Sequence, residues 1–316
     1  MDGRARNVQG EQATVLGSRC GRSRVIANMR VAAAIVCIAA ALPANADGLH
    51  AGATDRVALN VPVDALITGL GIVGATVPLI FSSSLARDTC RWCDGPTGTP
   101  VNAVDDWFHD RLTSTGLSRT RANTASSLLA YGLIPAAAIG TTLFATGPQA
   151  TSGAGLRNVF ILVETVAVSG TLTETIKIFT ARQRPYVHYQ HLGTPGGPSS
   201  DLPALSSDAN LSFPSGHTSL VAAVGTSAAM LATVEDSPAA PWLWGATGVA
   251  TVATGTLRMI SESHYLSDVL AGAAVGAGCG VLIPLLHRRG SALGGTTIPV
   301  ATPTPGGASF LLTGSF

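Results

Sequence analysis

The sequence predicts an all-α protein: a bundle of about six apolar helices followed by a short irregular or β-like C-terminal tail. Three observations predict it. The 316 residues are 46% hydrophobic but only 12% charged, about half the roughly 25% charge of an average soluble domain. The apolar residues gather in separate stretches of helical length. No period-two alternation, the mark of a half-buried strand, is sustained before the tail. The 36 glycines, with abundant alanine, suit helices packed closely in a membrane or a tight bundle. The same low charge excludes a disordered chain and a nucleic-acid-binding surface.

From the N-terminus, residues 31–42 form an apolar run of signal-peptide length behind Arg19, Arg22, Arg24 and Arg30, followed by Pro43 and the Ala44-Asn45-Ala46 cleavage pattern,. Residues 1–46 therefore read as a secretory signal. Its removal takes six arginines against Asp2 and Glu11 and leaves a slightly acidic chain, with nothing to attract a polyanion. Cys20 and Cys37 leave with it. Cys90 and Cys93 remain as a lone C-x-x-C, for which an exported protein makes a local disulfide the better reading than zinc,. Cys279 lies in an apolar helix as a packing residue.

Residues 47–62 read as an exposed leader. Apolar, helix-compatible stretches follow at 65–81, 128–146, 159–176, 217–233, 241–257 and 268–286. A polar, aspartate-rich segment (82–124) separates the first two, and a Pro/Gly/Ser-rich loop (185–213) separates the third and fourth. The tail turns to Gly, Thr and Pro and has room for two short strands around Pro305-Gly306-Gly307. The expected organisation is signal peptide 1–46, N-terminal extension 47–125 with one helix and the C-x-x-C segment, helical domain 126–289 and tail 290–316.

Several stretches sit at the lower length limit for a membrane span. Membrane insertion is the favoured reading and a soluble periplasmic bundle the other. His287-Arg288-Arg289 follows the last apolar stretch, so that end faces the cytoplasm and the start near Asp268 the periplasm,. A cleaved signal puts the new N-terminus outside, which requires two crossings before Lys177; the stretch 65–81 is therefore expected to be peripheral.

Three segments concentrate the chemistry. Lys177, the only lysine in the chain, stands seven residues before Arg184-Pro185, on nearly one helical face, with Arg184 at the helix end. Pro214-Ser215-Gly216-His217 leads into an apolar run: Ser215 is an N-cap candidate, and the N–H groups of Gly216 and His217 make an anion site. Arg258 precedes His264 and Asp268, which are four apart and read as helical neighbours,. A helix break at Ser261-Glu262-Ser263 would turn Arg258 and His264 toward one pocket. A carboxylate beside an imidazole fixes its tautomer and raises its basicity. Taken singly, each segment has a structural reading: a neutralised helix end, a capped helix, a salt bridge. Together, three cations, an oriented N–H cluster and two histidines are what phosphoryl transfer needs, since catalysis there is mostly positioning and charge neutralisation.

The segments resemble the three motifs of the type 2 phosphatidic acid phosphatase (PAP2) superfamily: K-x6-R-P, P-S-G-H and S-R-x5-H-x3-D. The signature covers 177–268 and the helical pattern extends it to 128–286. Leu257 departs from the family's Ser before the arginine. The resemblance implies a PAP2-type bundle and a phosphatase acting on phosphomonoesters or diphosphates, of lipids or small molecules, at the periplasmic side of the membrane. It implies His264 as the nucleophile forming a phosphohistidine, Asp268 orienting it, and His217 as acid then base. Lys177, Arg184, Arg258, Ser215 and the Gly216 N–H would bind phosphate. No metal or other cofactor is implied. Alternatives are a vanadium-dependent haloperoxidase, with vanadate in the same pocket, and a non-catalytic phospholipid-binding envelope protein. Arg182, His188 and His191 read as solvated loop residues, and substrate selection is expected from 82–124 and 185–213.

Overall fold

A computed structural model describes residues 55–87, 89–94, 101–113, 117–144, 153–189, 208–290, 298–304 and 307–313. The predicted signal segment and His191 lie outside them. The helices are α1 (Val61–Ile80), α2 (Ser82–Leu85), α3 (Ala103–Thr113), α4 (Arg119–Leu128), α5 (Ile134–Phe144), α6 (Ala154–Thr180), α7 (Pro185–His188), α8 (Gly216–Val234), α9 (Ala240–Ile260) and α10 (Leu266–Leu286). A π-helical turn, Leu129–Leu133, fuses α4 and α5 into one column. The protein is all-α, apart from a hairpin in the tail. There β1 (Ile298–Thr304) pairs antiparallel with β2 (Gly307–Thr313), from Ile298 opposite Thr313 to Thr304 opposite Gly307.

Small residues set the packing. Gly272, Gly276 and Gly280 of α10 recur every fourth position and meet Ser215, Ser219 and Thr226 in the same order, so α8 and α10 run parallel. A Cβ on Gly276 would stand 2.1 Å from the Ser219 carbonyl oxygen. Hydroxyls bridge α6 and α8 in opposite order: Ser169 and Thr173 to Ser219, and Thr165 to Ser227, all within 3.2 Å. The core between these helices is aliphatic, with Ile161, Leu231, Val234, Cys279 and Ile283 in one cluster and Ala138, Leu162, Val224 and Ala228 in another.

The first helix is not peripheral. Gly71 and Gly74 of α1 lie against Ala167 and Thr171 of α6, and Thr171 Oγ1 donates to the Gly71 carbonyl at 2.7 Å. The helices are thus parallel, and α1 begins at the end of the bundle where Val57 bridges Arg288. Small-residue faces allow this backbone approach, and the 65–81 stretch carries two glycines for it.

Among the described residues, five segments are long and apolar enough to cross a membrane: α1, the α4–α5 column, α6, α8 and α10. Their outward faces carry exposed Leu66, Leu70, Leu128, Leu133 and Leu282. Such faces would be unfavourable in water over this area and support membrane association. At one end of the bundle converge the last turns of α6 and α9 and the first turns of α4, α8 and α10. That end holds all three motif segments.

Candidate active site

Lys177 sits in the last turn of α6, nearly buried, with Nζ 2.6 Å from Glu174 Oε1. A Cβ on Gly216 would come within 2.9 Å of that Nζ, so the ammonium lies directly over the start of α8. The expected shared helical face with Arg184 does not form. Helix α6 stops at Thr180, capped by Ala181 in the left-handed region at φ 43°. Arg184 follows in extended conformation as the N-cap of α7, because the residue before a proline is driven from helical geometry. The two cations still converge, by chain reversal rather than helical spacing.

Arg184 is held on three sides. Its Nε and Nη2 donate to the Asp208 carbonyl and carboxylate at 2.8 and 2.7 Å, and Nη1 to the Ser263 carbonyl at 2.8 Å. The same Nη1 stands 3.3 Å from His264 Nε2.

Ser215 occupies the N-cap of α8 but makes no side-chain cap. Its hydroxyl pairs instead with Thr218 Oγ1 at 2.9 Å, and its N–H donates to the Asp268 carbonyl at 2.9 Å. His217, in the first turn, has Nε2 3.2 Å from Ser127 Oγ and its ring edge-on to Tyr131, centroids 4.8 Å apart. Tyr131 is delivered by the π turn, a local irregularity of a kind frequent at functional sites.

The expected break between Arg258 and His264 is present. Helix α9 ends at Ile260 and Glu262 turns left-handed at φ 52°. Arg258 donates through Nη1 to Asn123 Oδ1 and lies 3.4 Å from Ser126 Oγ; its buried Nε has no hydrogen-bond partner among the described residues.

His264 and Asp268 do not share a helical face: α10 begins at Leu266, and His264 precedes its cap. His264 Nδ1 lies 2.7 Å from the Ser212 carbonyl, which can only accept, so Nδ1 carries the proton and Nε2 the lone pair,. Asp268 Oδ2 is farther, at 3.7 Å. Burial first, then the charges of Arg184, Arg258 and Lys177, push the His264 imidazole well below the usual histidine range,. The ring is therefore neutral near pH 7, with its lone pair facing the cations.

Asp268 is fully buried and committed elsewhere: Oδ1 accepts from Arg182 Nη1 at 2.6 Å, and Oδ2 from Ser212 Oγ and the Tyr265 N–H at 2.5 and 2.9 Å. Arg182 is itself fully buried, as is His188, so neither is a solvated loop residue. Arg182 also reaches Asp94 Oδ2 at 2.6 Å and Asp105 Oδ2 at 3.0 Å, with its guanidinium between the Trp92 and Tyr265 rings. Burial opposes its charge, but Asp268, Asp94 and Asp105 outweigh that and hold it more firmly protonated than an ordinary arginine. Cys90 and Cys93 form a disulfide next to this contact, and the Arg91 N–H and Trp92 carbonyl of that loop pair with Ala181 and Gln183.

Sequence reasoning missed Arg182, Ser212, Asp208 and the polar face of α4 (Asn123, Ser126, Ser127). No sequence signal singled out Arg182, because the aspartates of 82–124 have arginines of their own segment beside them.

In comparison with known proteins, residues 158–291 match the PAP2 superfamily. No curated protein and no solved structure matches the chain.

Proposed function

Residues 158–291 belong to the PAP2 superfamily, a family with phosphatase-type activity, and on that premise we propose that this protein hydrolyses lipid-borne phosphomonoesters or diphosphates through a phosphohistidine on His264. The observation that carries the reading is Arg258: a buried guanidinium with an unspent N–H, set beside a neutral imidazole and two further cations. A phosphoryl group is the anion whose charge and valence such a cluster fits.

In the proposed reaction, His264 Nε2 attacks phosphorus as the bond to the leaving oxygen breaks. The negative charge of the bound phosphate keeps a proton on His217, which passes it to that oxygen, and the alcohol departs. The now neutral His217 takes a proton from water, whose oxygen attacks phosphorus; the N–P bond breaks, phosphate is released and His264 is restored. Lys177, Arg184, Arg258 and the Gly216 N–H hold the non-bridging oxygens throughout. The Ser212 carbonyl fixes the attacking tautomer, and Asp268 supports the imidazolium character that develops during attack from 3.7 Å,. Ser215, with its hydroxyl engaged by Thr218, contributes through the backbone turn that presents Gly216. A lipid substrate is supported by Phe81, Phe179 and Leu270, exposed at the same end of the bundle as the site.

A periplasm-facing site is supported by Arg288 and Arg289 at the opposite end. Since α1 also starts at that opposite end, residue 55 is then cytoplasmic. Export of the N-terminus by signal cleavage near Ala46 is incompatible with that arrangement, so the two expectations separate, and we retain the periplasmic site.

The test is phosphate release by the detergent-solubilised chain from phosphatidate, phosphatidylglycerol phosphate, undecaprenyl diphosphate, a lipid A phosphate and a soluble phosphoester, at about pH 5–8. Release from at least one lipid, abolished in His264→Ala, is expected. Release from none of them contradicts the proposal, and halide oxidation dependent on added vanadate would replace it.

A further inference from the structure

A second cluster of functional side chains lies far from the phosphate site. Asp64 of α1, Glu164 of α6 and His287 just beyond α10 are each more than nine-tenths buried. Glu164 is 13 residues before Lys177 on the same helix, about 20 Å along its axis. The three come together because α1 runs parallel to α6 and α10 returns antiparallel to both.

One atom of each residue points at a common centre. His287 Nε2 is 3.5 Å from Asp64 Oδ2 and 3.6 Å from Glu164 Oε2, and all three atoms lie within 4.8 Å of one another. His287 Nδ1 is 2.8 Å from the Ile283 carbonyl. That carbonyl can only accept, so Nδ1 bears a proton and Nε2 is turned inward. This backbone contact is the kind that orients a metal-ligating histidine. Asp64 Oδ2 is steadied by the Asn60 N–H at 2.7 Å. Glu164 Oε2 is buried and accepts no hydrogen bond among the described residues.

Two buried carboxylates call for compensating positive charge, from an imidazolium or from a bound cation. An imidazolium N–H would donate to a carboxylate, but charge-assisted hydrogen bonds run about 2.7–2.9 Å, and both separations are far longer. A tetrahedral ion with bonds of about 2.0–2.2 Å holds its ligand atoms roughly 3.3–3.6 Å apart, which is the spacing observed from the imidazole to each carboxylate. We propose that Asp64, Glu164 and His287 bind a divalent transition-metal ion of the zinc class, which ties α1, α6 and α10 together at the end of the bundle opposite the phosphate site. The role is structural and independent of the phosphatase reading. The residues are 100 and 123 positions apart, so no ligand spacing marks them in the sequence.

The test uses the full-length chain in detergent, stripped with a chelator, dialysed and titrated with Zn²⁺ against a chromogenic competitor, with bound metal and unfolding temperature as readouts. About one Zn²⁺ per chain is expected, with a higher unfolding temperature when it is bound. Glu164→Gln and, separately, Asp64→Asn should each weaken binding by about tenfold or more. Should a variant fail to fold, the wild-type titration decides alone. Wild-type protein that retains no Zn²⁺, or variants that retain as much as wild type, overturns the proposal and leaves the cluster a plain ion pair.

Discussion

Arg182 Nη1 donates to Asp268 Oδ1 at 2.6 Å, and both side chains are sealed from solvent. The motif aspartate thus leans on an arginine inside the first motif rather than directly on the histidine beside it. Arg182 gathers Asp94, Asp105 and Asp268 from three parts of the chain and ties the disulfide loop and α3 to the back of the site. Removing it leaves three buried carboxylates uncompensated. Arg182→Ala is expected to cost about 3–5 kcal/mol of stability, measured by chemical unfolding in detergent. Arg182→Lys, which keeps the charge but not the planar fork, should recover part of that stability.

His217 as proton donor predicts a dependence on the leaving group. His217→Asn should lose about 10²–10⁴-fold in kcat on alkyl phosphates and far less on an aryl phosphate whose leaving oxygen needs no proton. Equal losses on both would assign His217 to binding instead.

The depressed His264 pKa has a defined sign. The folded-state ring stays neutral below the ordinary histidine pKa of about 6.5, at which the unfolded chain takes up a proton,. Between those two values the unfolded state binds more protons, so stability falls as pH drops through that window and is fully present above about 6.5. The acid limb of kcat/KM assigned to the nucleophile should lie well below 6.5 for the same reason. A pH–rate profile shows it, and Arg184→Gln, by removing the nearest charge, should shift that limb upward.

The α8–α10 contact predicts a contrast between two glycines of one helix. Gly276→Ala places a Cβ against the Ser219 carbonyl and must push the helices apart, for a loss of about 1–3 kcal/mol or more,. Gly278→Ala meets nothing within 4 Å and should be neutral or stabilising by up to about 1 kcal/mol,. Thermal unfolding of the two variants side by side makes the comparison.

What was legible in the sequence follows from how local each signal is. The helical columns were visible because apolar stretches are contiguous, and the break at Ser261–Ser263 because Arg258 and His264 could not otherwise face one pocket. The one-face reading of Lys177 and Arg184 failed because spacing assumed a helix that Ala181 ends early. The reading of Arg182 as solvated failed because its partners Asp94 and Asp105 are over seventy positions away, and nothing local betrays a buried charge whose neutralisation is tertiary. The peripheral reading of α1 rested on a topology count; the glycine contacts with α6 decide otherwise. The carbonyl of Ser212, which sets the His264 tautomer, is a backbone group and carries no residue-type signature.

The central claim is that His264 Nε2 becomes covalently bonded to phosphorus. Rapid acid-free quenching of the wild-type chain during turnover of a ³²P-labelled lipid substrate, followed by peptide mapping, tests it directly. The account predicts an acid-labile, base-stable label on the peptide holding His264, absent in His264→Ala, which should also show no turnover. Label on another residue, or turnover by His264→Ala at the wild-type rate, would contradict it.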